Sequence, residues 1–284
     1  MTKVSRLKAD LGAMSDLEGL TDMLEQVAAR SIAKMRGDIL NSRPYFREIW
    51  RINGVLKKLA PPAPSVVHKH LVVMIGIDWG MPGNLLRLVS DEVLRLQKAH
   101  GADLLIAGKM AHSRFRTNVE NTVHFFSVPK NVALADIQPI YKVVAGYAKV
   151  TIVYPHFESL SVQRVASVSF SAIEKDQADD GTQPDSPSIH KEIESGRFIV
   201  EPDPQTIVNF LNEAVVGLTV HHYFAESMLA YNAAQMLAMR SGYDNAKKER
   251  KKLQIRYYRA RREQVDTKLR ELYGARSVRG GGKQ

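Results

Sequence analysis

The chain of 284 residues contains no cysteine. That excludes disulfides, thiolate metal sites and thiol-based redox control. No apolar run approaches the roughly 20 residues needed to cross a bilayer, so no membrane span is expected. The opening residues, MTKVSRLKADLGAMSDLEG, lack the continuous apolar stretch and small-residue cleavage site of a secretory signal. Signatures of catalysis are missing too. Gly76, Gly80 and Gly83 follow an apolar run in GIDWGMPGN, but their spacing fits neither the dinucleotide fingerprint nor the P-loop. A tight strand-to-helix turn accounts for them. His68 and His70 lie before a strand and His221 and His222 on a helix, and neither pair is read with a carboxylate at metal-ligand spacing. No serine sits in a nucleophile elbow. The reading is a chain that is non-catalytic by itself and takes no cofactor and no metal.

What the chain has is charge in one place. Forty lysines and arginines face thirty acids, a net +10, while 44% hydrophobic and 25% charged residues are ordinary globular values. Between Arg240 and Gln284 stand fifteen basic residues and five acids, so this stretch carries the whole excess and the rest is neutral. Such a block suits an acidic partner: a nucleic acid, an anionic membrane or an acidic protein surface.

Residues 3 to about 59 carry an amphipathic helical stripe: Leu7, Leu11, Met14, Leu17, Leu20, Leu24, Val27, Ile32, Met35 and Ile39. Pro44 is expected to kink or interrupt it, and Pro61, Pro62 and Pro64 to end it. A helix this long measures roughly 85 Å, which no compact domain buries alone. A second stripe runs from about Gln205 to Tyr273, with Gly274 as its expected C-cap and GGGKQ as a frayed end. The two helices suit each other as an antiparallel coiled coil. Between them, strand runs at Leu71–Asp78, Asp103–Gly108, Val123–Val128, Val150–Tyr154 and Arg164–Ile173 alternate with helical stretches at Leu85–His100 and Ala133–Ala148. That alternation predicts a Rossmann-like α/β domain with a mostly parallel sheet covered on both faces. The expected organisation is a coiled-coil helix at 1–60, the α/β domain at 66–203 with a mobile loop at 175–188, a second coiled-coil helix at 205–275 and a flexible tail at 276–284.

Six stretches, in order along the chain, carry a family resemblance. They are LTDMLEQVAARSIAKM (20–35), SRPY (42–45), GIDWGMPGNL (76–85), EPDP (201–204), NAAQMLAM (232–239) and YYRARREQVDTKLREL (257–272). Together they resemble the γ subunits of F-type ATP synthases, the central-stalk rotors. The chain is a divergent example, since Gly19 and Asp22 stand where that family has lysines, Leu24 where it has Met, and Gln235 where it has Arg. The resemblance implies a rotor that passes torque between a membrane c-ring and a catalytic hexamer of α and β subunits. It implies an ε subunit as a further partner, membrane contact only through the c-ring, and a place on the cytoplasmic face of a bacterial plasma membrane. By motif position it implies that Arg261 and Arg262 make a polar catch with β. Leu24, Gln235 and Met239 fall at shaft contacts, and Phe198 and Glu201 at the foot that meets the c-ring.

Read without the resemblance, the basic C-terminal helix leaves a nucleic-acid-binding protein open, with Tyr257 and Tyr258 for stacking. Against that, the apolar stripe runs through the basic block and commits one helix face to a partner helix. An enzyme with a nucleotide-binding α/β domain is disfavoured by the missing fingerprints. Titration of the purified chain with ATP-Mg is expected to give no saturable heat signal. Micromolar binding mapped to Gly76–Gly83 overturns the reading of that turn.

Overall fold

The structure is a computed structural model that describes residues 3–59, 67–115, 123–128, 135–171 and 204–280. Helix α1 spans Lys3–Leu59 and helix α5 Pro204–Gly280, on either side of an α/β segment. That segment runs β1 (Val67–Ile75), α2 (Leu85–His100), β2 (Asp103–Ala107), α3 (Lys109–Phe115), β3 (Val123–Phe126), α4 (Gln138–Ala145), β4 (Tyr147–Phe157) and β5 (Gln163–Ser171). The chain divides into two compact units. One comprises residues 28–235, and the other pairs residues 1–27 with 236–284.

In the first unit the strands form a sheet of order β3-β2-β1-β4-β5. The β3–β2, β2–β1 and β1–β4 pairings are parallel, and β4–β5 is antiparallel. The expected mostly parallel sheet is therefore present. β1 and β2 are apolar without alternation because both their faces are covered: Leu71 to Ile75 and Leu104 to Ala107 have no measurable exposure. The β1 register with β4 ends at Met74 opposite Val153, while β4 continues to Phe157 against β5 alone. Pro155 thus lies beyond the reach of β1, where a missing N–H breaks no parallel ladder.

Helix α2 buries Leu85, Leu86, Val89 and Val93. It ends where Gly101 adopts φ +57° and its N–H donates to Gln97 O. Helix α4 is shorter than the expected 133–148. Pro139 fits its first turn, Gly146 closes it, and Tyr147 already pairs with Val67 in the sheet. From α5, Val220, Phe224, Met228, Tyr231 and Ala234 enter the core at steps of three and four.

In the second unit α1 and α5 run antiparallel. Glu25 meets Arg240 at 3.6 Å, Glu18 meets Arg250 at 2.6 Å and Lys3 meets Glu263 at 3.5 Å, so residue numbers fall on one helix as they rise on the other. The inward-facing positions of α1 are Val4, Leu7, Leu11, Met14, Glu18, Thr21 and Glu25, a heptad pattern of threes and fours. The expected stripe therefore parts from the observed seam after Met14. Leu17, Leu20, Met23 and Val27 are 40–55% exposed, whereas Thr21 is 6% exposed.

Three further expectations are corrected. Of the two outcomes expected at Pro44, interruption does not occur, since α1 runs through it; a proline within a long helix costs a hydrogen bond without ending it when the flanks are helical. α5 continues through Gly274, which acts as a tolerated interior glycine rather than a cap. Residues 276–280 of the expected flexible tail are consequently helical, and 281–284 lie outside the described residues, as does the 175–188 loop.

His70 lies inside β1 rather than before it. Its Nε2 is 2.8 Å from Thr151 Oγ1, which is 2.7 Å from Ser169 Oγ, linking β1, β4 and β5. Burial first, then the charges of Lys149 and His100, lower its pKa from 6.5 to about 4. The folded chain thus prefers the neutral ring. This contribution to stability is complete above pH 6.5 and is lost as pH falls from 6.5 to 4. Because the ring is partly solvated, the loss is roughly 1–2 kcal/mol. Urea midpoints measured across this range should fall less with acid in a His70→Phe variant than in the parent chain.

Candidate partner-contacting surfaces

The crevice at the carboxyl ends of parallel strands is where folds of this order take ligands. At these ends Asp78, in the turn after β1, ties β1 to its neighbours on one side, β2 and β3. Asp78 Oδ1 accepts the backbone N–H of Lys109 at 2.7 Å and of Val128 at 3.1 Å, and Ser127 Oγ donates to Oδ2. Burial raises its pKa, but these hydrogen bonds and the charge of Lys109 outweigh burial and hold the carboxyl below its ordinary value. The carboxylate thereby caps α3 and ties together the ends of three strands. The amides of Lys109 and Val128 are engaged by this carboxylate.

The glycines of this turn answer to close approach. Gly80 has φ +110°, and a Cβ there would lie 2.7 Å from Gln235 Oε1. Gly108 has φ +119°, and a Cβ would lie 2.6 Å from the backbone nitrogen of Ile77. Gln235 is accordingly buried against the turn. Four residues earlier on α5, the Tyr231 hydroxyl donates to Ile75 O at 2.9 Å; complete burial pushes its pKa well above the usual phenol value.

Of the other residues singled out in the sequence, Met239 is buried and Leu24 half-buried. Arg261 and Arg262 are exposed and border an open hollow with Tyr258, Val265 and Asp266. Val265, Leu269, Leu272 and Tyr273 continue an outward apolar row, the last two 68% and 71% exposed. Phe198 and Glu201 lie outside the described residues.

One arrangement was missed. Glu226 stands four residues after His222 and is buried between His222 Nε2 at 3.7 Å and His156 Nδ1 at 2.6 Å. The i,i+4 spacing was visible in the sequence, but His156 arrives from β4. Among the described residues no cluster has the geometry to hold a metal ion.

A family model described as ATP synthase matches residues 3–277, which takes in both long helices and the sheet. The chain belongs to the ATP synthase gamma family. Curated relatives named ATP synthase gamma chain include that of Desulfitobacterium hafniense, 23% identical with 98% of this chain and 99% of the relative covered. That of Stenotrophomonas maltophilia is 25% identical, with 96% and 98% covered. Among solved structures, a chain of the Euglena gracilis mitochondrial ATP synthase superposes with a TM-score of 0.68 at 16% identity, covering 99% of this chain and 96% of that one. A chain from the Tetrahymena thermophila central stalk and c-ring structure gives 0.58 at 20% identity, covering 78% and 98%. The gamma fold is thus retained while most of the residues in it differ.

Asp78 supplies a direct test of how these strand ends are held. Asp78→Ala leaves the amides of Lys109 and Val128 without their acceptor. Hydrogen exchange at α3 and at Ser127–Val128 should speed up by about tenfold or more, as loss of a charge-assisted bond implies. Unchanged protection there would mean that the carboxylate does not hold the strand ends.

Proposed function

We propose that this chain is the rotating central stalk of an F-type ATP synthase. It has no ATPase activity of its own and works without a cofactor. It turns inside the hexamer of α and β subunits, with an ε subunit and the c-ring as its other partners. The complex lies on the cytoplasmic face of a bacterial plasma membrane, which the chain meets only through the c-ring.

The observation that carries this reading is the inverted seam of α1. Over residues 17–27 the polar Glu18, Thr21 and Glu25 face α5 while Leu17, Leu20, Met23 and Val27 are exposed, the reverse of an isolated helix pair in water. An outward apolar row suits a smooth surrounding sleeve, which a shaft contacts without bonding to any one position. Leu24, half-buried, and Met239, buried in the seam, are assigned to the shaft with Gln235 on the same helix as Met239. Helix α5 is continuous from Pro204 to Gly280 and takes part in both compact units, so a twist applied anywhere along it is carried by one unbroken element. By motif position, Phe198 and Glu201 are assigned to the contact with the c-ring.

Arg261 and Arg262 are the catch that meets acidic loops of β. Their charges are exposed, and neither forms an ion pair among the described residues. Screened attractions of this kind are exchangeable from one β to the next as the shaft turns. A nucleic acid would also welcome the basic helix, but the face of α5 that includes Ala246 and Ala260 is already buried.

Each exposed pair contributes only about 0.2–1 kcal/mol, so no single arginine should be decisive. Replacing Arg261 and Arg262 together by Ala is expected to lower ion pumping per ATP more than it lowers assembly. Neutralising Lys247, Lys248, Lys251 and Lys252 should have a milder effect that fades with salt. Unchanged pumping by the double variant, with steeply salt-dependent DNA binding by the parent chain, would replace this reading with the nucleic-acid one.

A further inference from the structure

We propose that Glu18 and Glu25 set the register of α1 against α5, selecting one alignment from several that the apolar seam alone would accept. The inference goes beyond the rotor reading and does not depend on it.

The seam on α5 repeats every seven residues. Met239, Ala246, Leu253 and Ala260 form one row, in which a large side chain alternates with a small one. Thr21 faces Gly242, where an added Cβ would lie 3.3 Å from Thr21 Cγ2. Such small-residue contact permits close approach but specifies position weakly. Sliding α1 by one heptad, about 10 Å, still sets apolar residues opposite one another, though large ones come where small ones stood. The two charge pairs do not both survive it. Glu18 and Glu25 occupy successive equivalent seam positions, seven residues apart, where a polar group costs stability and fixes alignment. Arg250 lies within 2.6 Å of Glu18, a close charge contact rather than an aligned hydrogen bond, and Arg240 within 3.6 Å of Glu25. Seven residues either side of Arg250 stand Tyr243 and Tyr257, neither of which neutralises a carboxylate. The least costly slip keeps Glu25 beside Lys247 and places Glu18 against Tyr257.

The cysteine-free chain offers a clean readout in the assembled complex. Thr21→Cys with Gly242→Cys reports the native register, since Thr21 Cβ lies one bond beyond its Cγ2 and so within disulfide reach. Thr21→Cys with Glu249→Cys reports the slipped one. Reversing both acids, Glu18→Arg with Glu25→Arg, should cut the native crosslink by about fivefold or more and raise the slipped one. Adding Arg240→Glu and Arg250→Glu should restore the native yield. If reversal prevents assembly, the isosteric pair Glu18→Gln and Glu25→Gln decides, with the same direction expected. Native crosslinking at the parental yield, loss of both crosslinks in an assembled variant, or failure of the swapped charges to rescue would each overturn the proposal. Pumping is read separately, so a rotor that couples badly in the correct register tells against the catch and not against this pairing.

Discussion

A helix of 77 residues cannot bury its own apolar face, and α5 meets that constraint by changing what covers it along its length. From Val220 to Ala234 its buried residues step by three and four and belong to the sheet's core, with the Tyr231 hydroxyl bonded to β1. From Met239 onward the buried positions recur at sevens, the period of a two-helix seam. Nothing breaks the helix between the two regimes. The spacing of buried side chains is what changes, and with it the kind of neighbour that can be accommodated.

Seams of this kind are economical in apolar volume. Thr21, Gly242, Ala246 and Ala260 bring two backbones close, and the larger side chains are displaced outward. An isolated helix pair built this way buries too little to be robust by itself. The charge on α5 is divided in the same economical manner. Arg240 and Arg250 are engaged by acids of α1, whereas Arg261 and Arg262 are left to solvent. A residue count could register the excess of positive charge, but only the pairing separates the cations that hold the shaft together from those that face outward.

How much of this was legible in the sequence varied with the range of the interaction. The long helices announced themselves through period, and β1 and β2 through uninterrupted apolar runs, because both signals are local. Helix α3 did not, since its cap is Asp78, thirty-one residues upstream, and seven residues carry no usable period. Glu18 and Glu25 were passed over because the eye follows leucines, and Leu17, Leu20 and Leu24 continued the stripe more plausibly than two glutamates. Pairing across 232 residues decided otherwise for Glu18 and Arg250. Gly274 looked like a terminus because glycine usually is one, yet a single interior glycine costs only about 1 kcal/mol beside many helical neighbours.

Pro155 has a consequence of another kind. Past Val153, β4 has lost β1 and keeps only β5 as a strand partner, and in the folded chain Tyr154 and Pro155 are buried. A bare edge is a template on which a stray chain, or a second copy still folding, can lay down another strand. Proline offers no N–H to such a visitor and holds φ away from the flattest extended geometry. One imino acid thus guards this end of the sheet against strand addition while the chain is still folding, before its own packing buries the edge.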